Sequence, residues 1–419
     1  MTSTPLTALC DATILTGEAT IEGHALLIQG KTIVDIVGNR HIPSEAKKIA
    51  CQGQILAPGL IDAQVNGGGN LLLNNAPTVE TCLAIAKAHR RHGTTGLLLT
   101  CISDTPEITG QAIAAVYEAR KTDKGILGIH LEGPHLGLDR RGVHNSSAIR
   151  PFTDKDITLY QRKGDEVVLI TLAPENVSAE TIKLLSQQAI VSLGHTNALP
   201  EQIHVALESG AIGFTHLYNG MGGMSARAPG VAGVALDDPN SWCGLIADGH
   251  HVAPEMIRLA IHAKPQGKVF LVSDAMPPAA TDNPQPFRLY GQLIQVEASS
   301  RRKSGSSGTL SKSQLEGSIG TAAWIPAFAG MTTMGSDALS YAKCVTEEGN
   351  LAGSAITLLD AVRYCVQTVG IDLDEALRMA STYPAAFLGV DKKLGKLLPG
   401  YRADVIALNE NLELQNTDA

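Results

Sequence analysis

Short apolar runs recur along the middle of the chain, and longer mixed segments separate them. The runs are TGLLLT, GILGIHLEG, VVLITLAPE, AIVSLGHT, IGFTHL, WCGLIAD and KVFLVSDA. Their apolar residues occupy consecutive positions, which is typical of strands buried on both faces of a parallel sheet that helices cover. Each intervening segment has the length of a helix or of a helix with a loop. The pattern therefore predicts alternating β-strands and α-helices.

His, Glu or Asp side chains lie at the C-terminal end of most of these runs. The residues are Glu132, His195, His216, Asp248 and Asp274. Active sites of (β/α)8 barrels are assembled at that end from several different strands, so the repeated placement favours a barrel. A doubly wound sheet fits less well, because the polar groups recur at many strands and no GxGxxG turn follows the first strand. The predicted fold class is α/β, with a (β/α)8 barrel.

The two ends of the chain have a different pattern. Residues 11–55 read as short strands broken by turns, for example HALLIQG followed by KTIVDIVG. The final segment, LGKLLPGYRADVIALN from Leu394, places a Pro-Gly turn before another apolar strand. We expect the ends to form one small β unit from residues 1–57 and 394–419, with the barrel at residues 58–393.

Residues 299–341 do not follow the barrel pattern. Their first half, SSRRKSGSSGTLSKSQ, is basic and rich in Ser and Gly, and their second half carries the apolar text WIPAFAGMTT without a sustained period. Without them, QLIQVEA would lead directly into AKCVTEEGNLAGSA, which reads as a hairpin. We interpret residues 299–341 as an insertion that forms a surface loop without function.

Composition narrows the class of protein. The 419 residues are 44% apolar and 18% charged, as in a globular enzyme with a large core. The formal net charge of −8 argues against general nucleic-acid or membrane-surface binding, because both need a basic face. The seven cysteines are scattered without CxxC spacing, which indicates a reducing compartment. Since residues 1–30 do not resemble a secretion signal, we expect a cytoplasmic protein.

Three strand-end residues carry the side chains that a catalytic zinc ion needs. Glu132, His195 and His216 would supply one oxygen and two nitrogen ligands and leave a position for water. Asp274 ends a later strand, where an uncompensated carboxylate is costly to bury. We predict that it takes a proton from the attacking water as general base and then protonates the departing amine. The alternative is an Asp that caps the loop before Pro277.

A series of short motifs covers nearly the whole chain except residues 299–341. In order, they are PGLIDAQVNGGG, HLEGPHL, GVHN, SLGHT, THLYNGMGG, PGVAG, ADGHHV, LVSDAMPP, LAGSA and LGKLLPGYRADVIAL. This order resembles the bacterial N-acetylglucosamine-6-phosphate deacetylases of the amidohydrolase superfamily. The resemblance implies a distorted (β/α)8 barrel with a small β-sandwich from both termini, usually as a homodimer. It also implies hydrolysis of the acetamide to D-glucosamine 6-phosphate and acetate in amino-sugar catabolism and cell-wall sugar recycling.

The same resemblance implies roles for individual side chains. Glu132, His195 and His216 match the metal ligands of the family, and Asp274 matches its catalytic carboxylate. His144 in GVHN matches a residue at the acetamide of the substrate, where a donor polarises the carbonyl and stabilises the developing oxyanion.

Substrate binding is also implied by the resemblance. Arg227 in SARAPG and His251 in ADGHHV match the phosphate-binding positions, and a guanidinium beside an imidazole suits a dianion. Family members often carry Ala where this chain has Gly220, and because the implied contact is a backbone N–H, we expect Gly to be tolerated. Further contacts are expected from Val143, His144, Asn219, Gly220, Leu351, Ala352 and Gly353.

Gln64 and Asn66 bear on the number of metal ions. Many amidohydrolases place His-x-His at the end of the first barrel strand to bind a second metal, whereas this chain has AQVNG. Neutral amides are poor zinc ligands. We therefore predict one divalent ion, Zn2+, as in the branch of the family with the same Gln-x-Asn text.

Two other functions remain open at this point. Deacetylation of N-acetylgalactosamine 6-phosphate uses the same chemistry, since the two sugars differ at one hydroxyl. A catalytically impaired scaffold with the amidohydrolase fold is the second alternative, against which the joint presence of Glu132, His195, His216 and Asp274 speaks. For an active enzyme of either specificity, the expected partner is a small amino-sugar phosphate. We expect neither nucleic acid nor a membrane to be a partner.

Overall fold

The computed structural model describes residues 4–297 and 341–415, so the predicted insertion lies outside the described residues apart from Tyr341. The first strands are β1 (Leu6–Cys10), β2 (Thr13–Leu15), β3 (Thr20–Ile21), β4 (His24–Gln29), β5 (Thr32–Gly38), β6 (Lys47–Ala50) and β7 (Ile55–Pro58). Strands β8 to β17 are Leu60–Val65, Gly67–Gly68, Leu71–Leu72, Thr94–Ile102, Ile126–Glu132, Val167–Leu172, Ile190–Leu193, Ala211–Phe214, Trp242–Ile246 and Val269–Val272. Strands β18 to β23 are Phe287–Leu289, Gln292–Glu297, Lys343–Val345, Leu351–Ser354, Val405–Leu408 and Leu414–Gln415.

The described α-helices alternate with the central strands. They are α1 (Val79–Arg90), α2 (Pro106–Thr122), α3 (Asp154–Leu159), α4 (Ala179–Ser186), α5 (Pro200–Glu208), α6 (Gly230–Asp237), α7 (Pro254–Ala263), α8 (Leu358–Tyr364), α9 (Leu373–Ala380) and α10 (Thr382–Phe387). Local signals set several of their starts: the Thr78 side chain caps α1 by accepting the Thr81 N–H, and a proline opens α2, α5 and α7. Among the described helices, none has both the length and the apolar character of a membrane span.

Both ends of the chain contribute to a small β-sandwich. One sheet has the order β5-β4-β1-β6, and the other has the order β23-β22-β7-β2-β3. C-terminal β22 pairs antiparallel with N-terminal β7, with Ile406 opposite Ala57. Apolar side chains from both ends, including Leu9, Leu56 and Leu397, form its buried core. The C-terminal segment therefore completes the N-terminal β unit, as the sequence predicted.

The central sheet is a barrel of eight parallel strands in the order β17-β16-β15-β14-β13-β12-β11-β8. Most residues of its strands are buried: every residue of β13 is buried, for example, although Ile212 on β15 is exposed. The circle closes where Ala275, just after β17, forms a parallel bridge with Val65 at the end of β8. This arrangement confirms the predicted (β/α)8 fold class and places the C-terminal strand ends around one mouth.

An antiparallel sheet, β18-β19-β20-β21, borders this mouth. Strand β19 pairs with β20, placing Glu297 opposite Lys343, and their side chains form an ion pair with an N–O distance of 2.8 Å. The segments on either side of residues 298–340 therefore pair as the predicted hairpin. The insertion itself lies outside the described residues and stays a prediction. Strand β21 contacts the seam of the barrel, the place where Ala275 joins the last strand to β8, because Ser354 forms a parallel bridge with Ala275.

Candidate active site

Four ionisable residues meet at the C-terminal ends of the barrel strands. Glu132 is the last residue of β12, and His195, His216 and Asp274 each lie two residues beyond β14, β15 and β17. Glu132, His195 and His216 are at most 8% exposed. The parallel barrel thus brings together residues that are far apart in the sequence.

His195, His216 and Asp274 share an uncommon backbone conformation. Their φ angles are 48°, 34° and 50°, in the left-handed region that non-glycine residues rarely adopt. Backbone hydrogen bonds hold the turn at Asp274 from both sides, since its N–H donates to Gln64 O and its C=O accepts from Ser354 N–H, each at 3.0 Å. Such strain persists where the surrounding structure enforces it, and it concentrates at functional sites.

Three potential ligand atoms converge on one point. Glu132 Oε1 lies 3.1 Å from His195 Nε2 and 2.9 Å from His216 Nε2, and the two nitrogens are 3.0 Å apart. His195 Nδ1 is 2.8 Å from the Arg140 carbonyl oxygen, which can only accept, so Nδ1 carries the proton of the neutral ring. Its Nε2 lone pair therefore faces a carboxylate oxygen, an arrangement that a cation between them would stabilise. The donor set fits a divalent ion with nitrogen and oxygen ligands.

The charge state of Glu132 agrees with this donor set. Burial alone would raise the pKa of Glu132, but its interactions with the adjacent His195 and His216 imidazoles outweigh burial and hold the pKa well below its usual value. In addition, His216 Nδ1 is buried without a hydrogen-bond partner among residues 4–297 and 341–415. Because its pKa is low, the Glu132 carboxylate is ionised, as a metal ligand must be.

His144 is close enough to be weighed as an alternative ligand. Glu132, His144 and His195 can each offer a ligand atom within 4.8 Å of the other two. The set with His216 is tighter, with all three atoms within 3.1 Å of one another. We therefore favour Glu132, His195 and His216 as the metal-binding set.

Ser103 fixes the orientation of His144. The Ser103 backbone N–H donates to His144 Nδ1 at 3.3 Å, so the proton of the neutral ring lies on Nε2. Burial and the nearby His195 lower the pKa of His144 to about 3, so the ring is neutral at physiological pH. It packs edge-on against the His195 ring, with a centroid distance of 4.5 Å. His144 can therefore act as a neutral N–H donor beside the ligand cluster.

Asp274 accepts hydrogen bonds from two side-chain amides. Asn66 Nδ2 donates to its Oδ1 at 2.7 Å and Gln64 Nε2 at 3.1 Å, and the same Gln64 nitrogen donates to Glu132 Oε1 at 3.1 Å. Carboxylates only accept, so both amides must present their NH2 groups here. Gln64 and Asn66 therefore act as hydrogen-bond donors to these carboxylates, and the number of metal ions stays a prediction.

The pKa of Asp274 is suited to proton transfer. Burial and the negative charge of Glu132 raise it to about 6, against the lowering effects of His216, His251 and the Asn66 hydrogen bond. A carboxyl with a pKa near neutrality can both take and return a proton. This pKa suits the general base and acid predicted at Asp274, a role that stays a prediction.

The two predicted phosphate-binding residues lie in different surroundings. The His251 side chain is 6% exposed and its Nδ1 lies 2.7 Å from Asp248 Oδ2. Arg227 lies in an exposed segment, residues 223–229, and its guanidinium forms no hydrogen bond or ion pair with any described residue. The structure thus places His251 close enough to Asp274 to lower the pKa of that carboxyl. The structure does not bring Arg227 into contact with His251.

The remaining predicted substrate residues border the same mouth. The Asn219 side-chain amide donates to the backbone oxygens of His216 and Leu217, both at 3.3 Å. Gly220 has φ +60°, and a Cβ there would lie 2.8 Å from His195 Nδ1, so the missing side chain makes room for this ring. Val143 packs against the apolar cluster that contains Ala352, on strand β21 with Leu351 and Gly353.

The sequence analysis assigned no functional role to two residues of the site, Asp248 and Ser103. Asp248 was recognised as a strand-end carboxylate, but its hydrogen bond to His251 depends on a turn that the sequence does not reveal. Ser103 directly follows β11, so the same strand-end rule identifies it in retrospect.

Known proteins similar to this chain agree on one fold. Residues 55–418 match the Amidohydrolase family and residues 7–56 match the NagA composite domain. The chain is 38% identical to an N-acetylgalactosamine-6-phosphate deacetylase of Shewanella sp. (strain ANA-3), over 85% of this chain and 79% of that protein. It is 32% identical to an N-acetylglucosamine-6-phosphate deacetylase of Mus musculus, over 99% and 94%. A crystal structure of N-acetylglucosamine-6-phosphate deacetylase from Pasteurella multocida matches with a TM-score of 0.83 and 32% identity, covering 98% and 97%.

Proposed function

The chain belongs to the amidohydrolase family, and we propose that it hydrolyses the acetamide of N-acetyl-D-glucosamine 6-phosphate to D-glucosamine 6-phosphate and acetate. The observation that carries the proposal is the convergence of Glu132 Oε1, His195 Nε2 and His216 Nε2 within 3.1 Å of one another, beside Asp274. Relatives over nearly the whole chain carry the name of this activity. Family membership itself confirms the resemblance drawn from the motifs and identifies a metal-dependent hydrolase.

Glu132, His195 and His216 would hold one divalent ion, Zn2+. When bound, such an ion supplies a Lewis acid and lowers the pKa of a water molecule in its remaining position. The Arg140 carbonyl keeps the His195 proton on Nδ1, so that Nε2 stays free to bind the ion. The ionised Glu132 offsets part of the positive charge.

Asp274 moves the proton during the reaction. Its carboxylate takes a proton from the attacking water and then delivers it to the nitrogen of the departing amine, so that no amide anion has to leave. The Asn66 and Gln64 amides hold Oδ1 in place, at 2.7 and 3.1 Å. The clamped backbone at Asp274 limits the movement of the side chain between the two transfers.

His144 and the loops of the mouth would bind the substrate. The His144 Nε2–H donates to the acetamide oxygen, and this hydrogen bond strengthens as negative charge develops there. His251 and Arg227 are the proposed phosphate-binding residues, and for Arg227, which the structure does not bring into contact with His251, the support is the motif resemblance alone. The sugar would lie against the segments at Val143 and Asn219. The other proposed contacts come from Gly220, Leu351, Ala352 and Gly353.

Measurement of acetate release tests the proposal directly. Zinc-loaded protein is expected to release acetate from N-acetylglucosamine 6-phosphate, and chelator-treated protein is expected to be inactive until zinc is restored. Asp274→Asn should bind zinc normally and lose at least about a hundredfold in kcat, since general acid–base catalysis contributes about 10²–10⁴. Equal activity of the chelated and loaded proteins would contradict the proposal.

The galacto epimer is a second candidate substrate. It is favoured by one observation: the Shewanella relative, named for N-acetylgalactosamine 6-phosphate, has 38% identity, higher than the 32% of the mouse relative. The two sugars differ at one hydroxyl, so their kcat/KM ratio measures which orientation the site accepts. We expect the gluco substrate to be preferred, and a clear galacto preference would reverse the assignment.

The proposed setting is the cytoplasm, with the enzyme acting as a homodimer in amino-sugar catabolism and cell-wall sugar recycling. The motif resemblance supports the homodimer and the metabolic role, and the scattered cysteines without CxxC spacing support a reducing compartment. Light scattering on the purified protein would test the dimer, because the chain has a mass of 44.0 kDa and a dimer scatters as twice that mass.

A further inference from the structure

A buried carboxylate lies directly behind the residue proposed to bind phosphate. Asp248 is fully buried, two residues beyond the end of β16, and it is not part of the ligand cluster. Its Oδ2 lies 2.7 Å from His251 Nδ1, and its Oδ1 accepts the backbone N–H groups of His250 and His251, each at 2.8 Å. One carboxylate thus holds both the backbone and the side chain of His251.

The turn between Asp248 and His251 leaves little freedom. Gly249 has φ +79°, and a Cβ there would lie 2.9 Å from the Tyr364 ring. Helix α7 begins at Pro254, shortly after the turn. The backbone is therefore constrained on both sides of His251, which restricts the directions that its imidazole can take.

The hydrogen bond to Asp248 determines which nitrogen of the His251 imidazole is available to a ligand. Burial opposes ionisation of Asp248, but the hydrogen bonds and charge of His251 outweigh it and lower its pKa to about 2, so the group is a carboxylate. A carboxylate only accepts, so His251 Nδ1 donates to it and Nε2 is the nitrogen left for a ligand. A phosphate at Nε2 requires an N–H there, and the ring then carries a proton on each nitrogen. Asp248 compensates that positive charge from the buried side.

We propose that Asp248 is a positioning residue, which holds the His251 imidazole with Nε2 towards the barrel mouth so that it can bind the phosphate of the substrate. The inference rests on the proposed function, because it takes the substrate to be a sugar phosphate. It extends that function by assigning phosphate affinity to a pair of residues, one of which never contacts the ligand. Buried carboxylates that orient a histidine act in this way at metal and catalytic sites.

Asp248→Asn tests the positioning of the His251 side chain while it preserves the backbone hydrogen bonds of the turn. The Asn oxygen still accepts the backbone N–H groups of His250 and His251, while its NH2 replaces the acceptor that faces Nδ1. We expect KM for the phosphorylated substrate to rise about tenfold, because a charged hydrogen bond is replaced by a neutral one, with kcat within about twofold. The kcat/KM for unphosphorylated N-acetylglucosamine should not change. Glu255→Gln, which removes an exposed carboxylate on α7, is the matched control and should leave all constants unchanged.

A double-mutant cycle with His251→Gln tests whether Asp248 acts through His251. If it does, the double variant is no worse than His251→Gln alone, whereas additive losses would overturn the proposal. Equal losses on both substrates, or a fall in kcat at constant KM, would also overturn it. Thermal unfolding checks that each variant is folded, and Asp248→Ser, which retains an acceptor for the turn, replaces the Asn variant if that one unfolds.

Binding of inorganic phosphate, measured by calorimetry, makes the test independent of the reaction. A tenfold weaker Kd in Asp248→Asn supports the proposal, and an unchanged Kd contradicts it. If the unaltered enzyme releases no acetate from either sugar phosphate, the proposed function fails, and the phosphate comparison still decides the role of Asp248.

Discussion

Replacing Asn66 with alanine is expected to move the acid limb of the activity profile to higher pH. The Asn66 amide donates to Asp274 Oδ1 at 2.7 Å, and this hydrogen bond lowers the pKa of the carboxyl. Burial and the charge of Glu132 act in the opposite direction and together bring that pKa to about 6. Without the Asn66 donor, one of the interactions that lower the pKa of Asp274 is lost, so we expect this pKa to rise.

The magnitude follows from the energy of one hydrogen bond. A hydrogen bond to a charged group contributes about 1.5–3 kcal/mol, and one pKa unit corresponds to about 1.4 kcal/mol. Because the Gln64 amide remains 3.1 Å from the same oxygen, we expect a rise of about one unit, towards the lower end of that range. The general base acts as a carboxylate, so turnover is lost as the pH falls through its pKa, and a higher pKa moves this loss to higher pH.

The assay is the pH dependence of kcat/KM for zinc-loaded wild type and Asn66→Ala. A bound divalent ion offsets the charge of Glu132 and lowers the pKa of Asp274 in both proteins, so the difference between them remains. Asn75→Ala is the control, because its exposed amide donates to the Arg288 carbonyl at 2.9 Å and does not touch the site. An acid limb that stays in place, or moves to lower pH, would refute the reasoning.

Metal content, loop packing and the stability of the small domain provide three separate tests. His195→Ala removes one of three ligand atoms, so zinc measured by atomic emission should fall from about one ion per chain to near zero, and full content would contradict the ligand set. Gly220→Val places a side chain at φ +60° against the His195 ring and should weaken zinc binding at least about tenfold, whereas Gly223→Val, with open space around its Cβ, should not. Leu56→Ala should lower the free energy of unfolding by about 2–5 kcal/mol in denaturant titrations at unchanged zinc content, and unaltered stability would argue against its core position.

The positions of the ionisable residues along the sequence were sufficient to predict that four of them converge at one end of the barrel. Glu132, His195, His216 and Asp274 all follow buried apolar runs, and parallel strands in a barrel bring such positions to one mouth. This inference needs only the strand pattern and the rule for where barrel active sites lie. It succeeds because strand direction, a global property of the fold, fixes the location of each residue.

Details that depend on side-chain rotation and loop packing could not be predicted in the same way. Which atoms of the Gln64 and Asn66 amides face the carboxylates follows from the network around them. The left-handed backbone at His216, the exposed position of Arg227 and the hydrogen bond from His251 to Asp248, three residues earlier, likewise depend on the conformation of turns and loops and on the contacts made there. A pattern of apolar and polar positions along one strand contains no information about such contacts.

The seam of the barrel has a consequence for how the enzyme would fail. The proposed metal ligands lie on β12 and just after β14 and β15, within one continuous arc of the sheet, whereas Asp274 lies where Ala275 joins the last strand to β8. Partial opening at this join would displace the proton carrier and leave the ligand arc intact. A damaged or transiently opened molecule would then retain its ion while turning over no substrate, so loss of activity on heating should precede release of zinc.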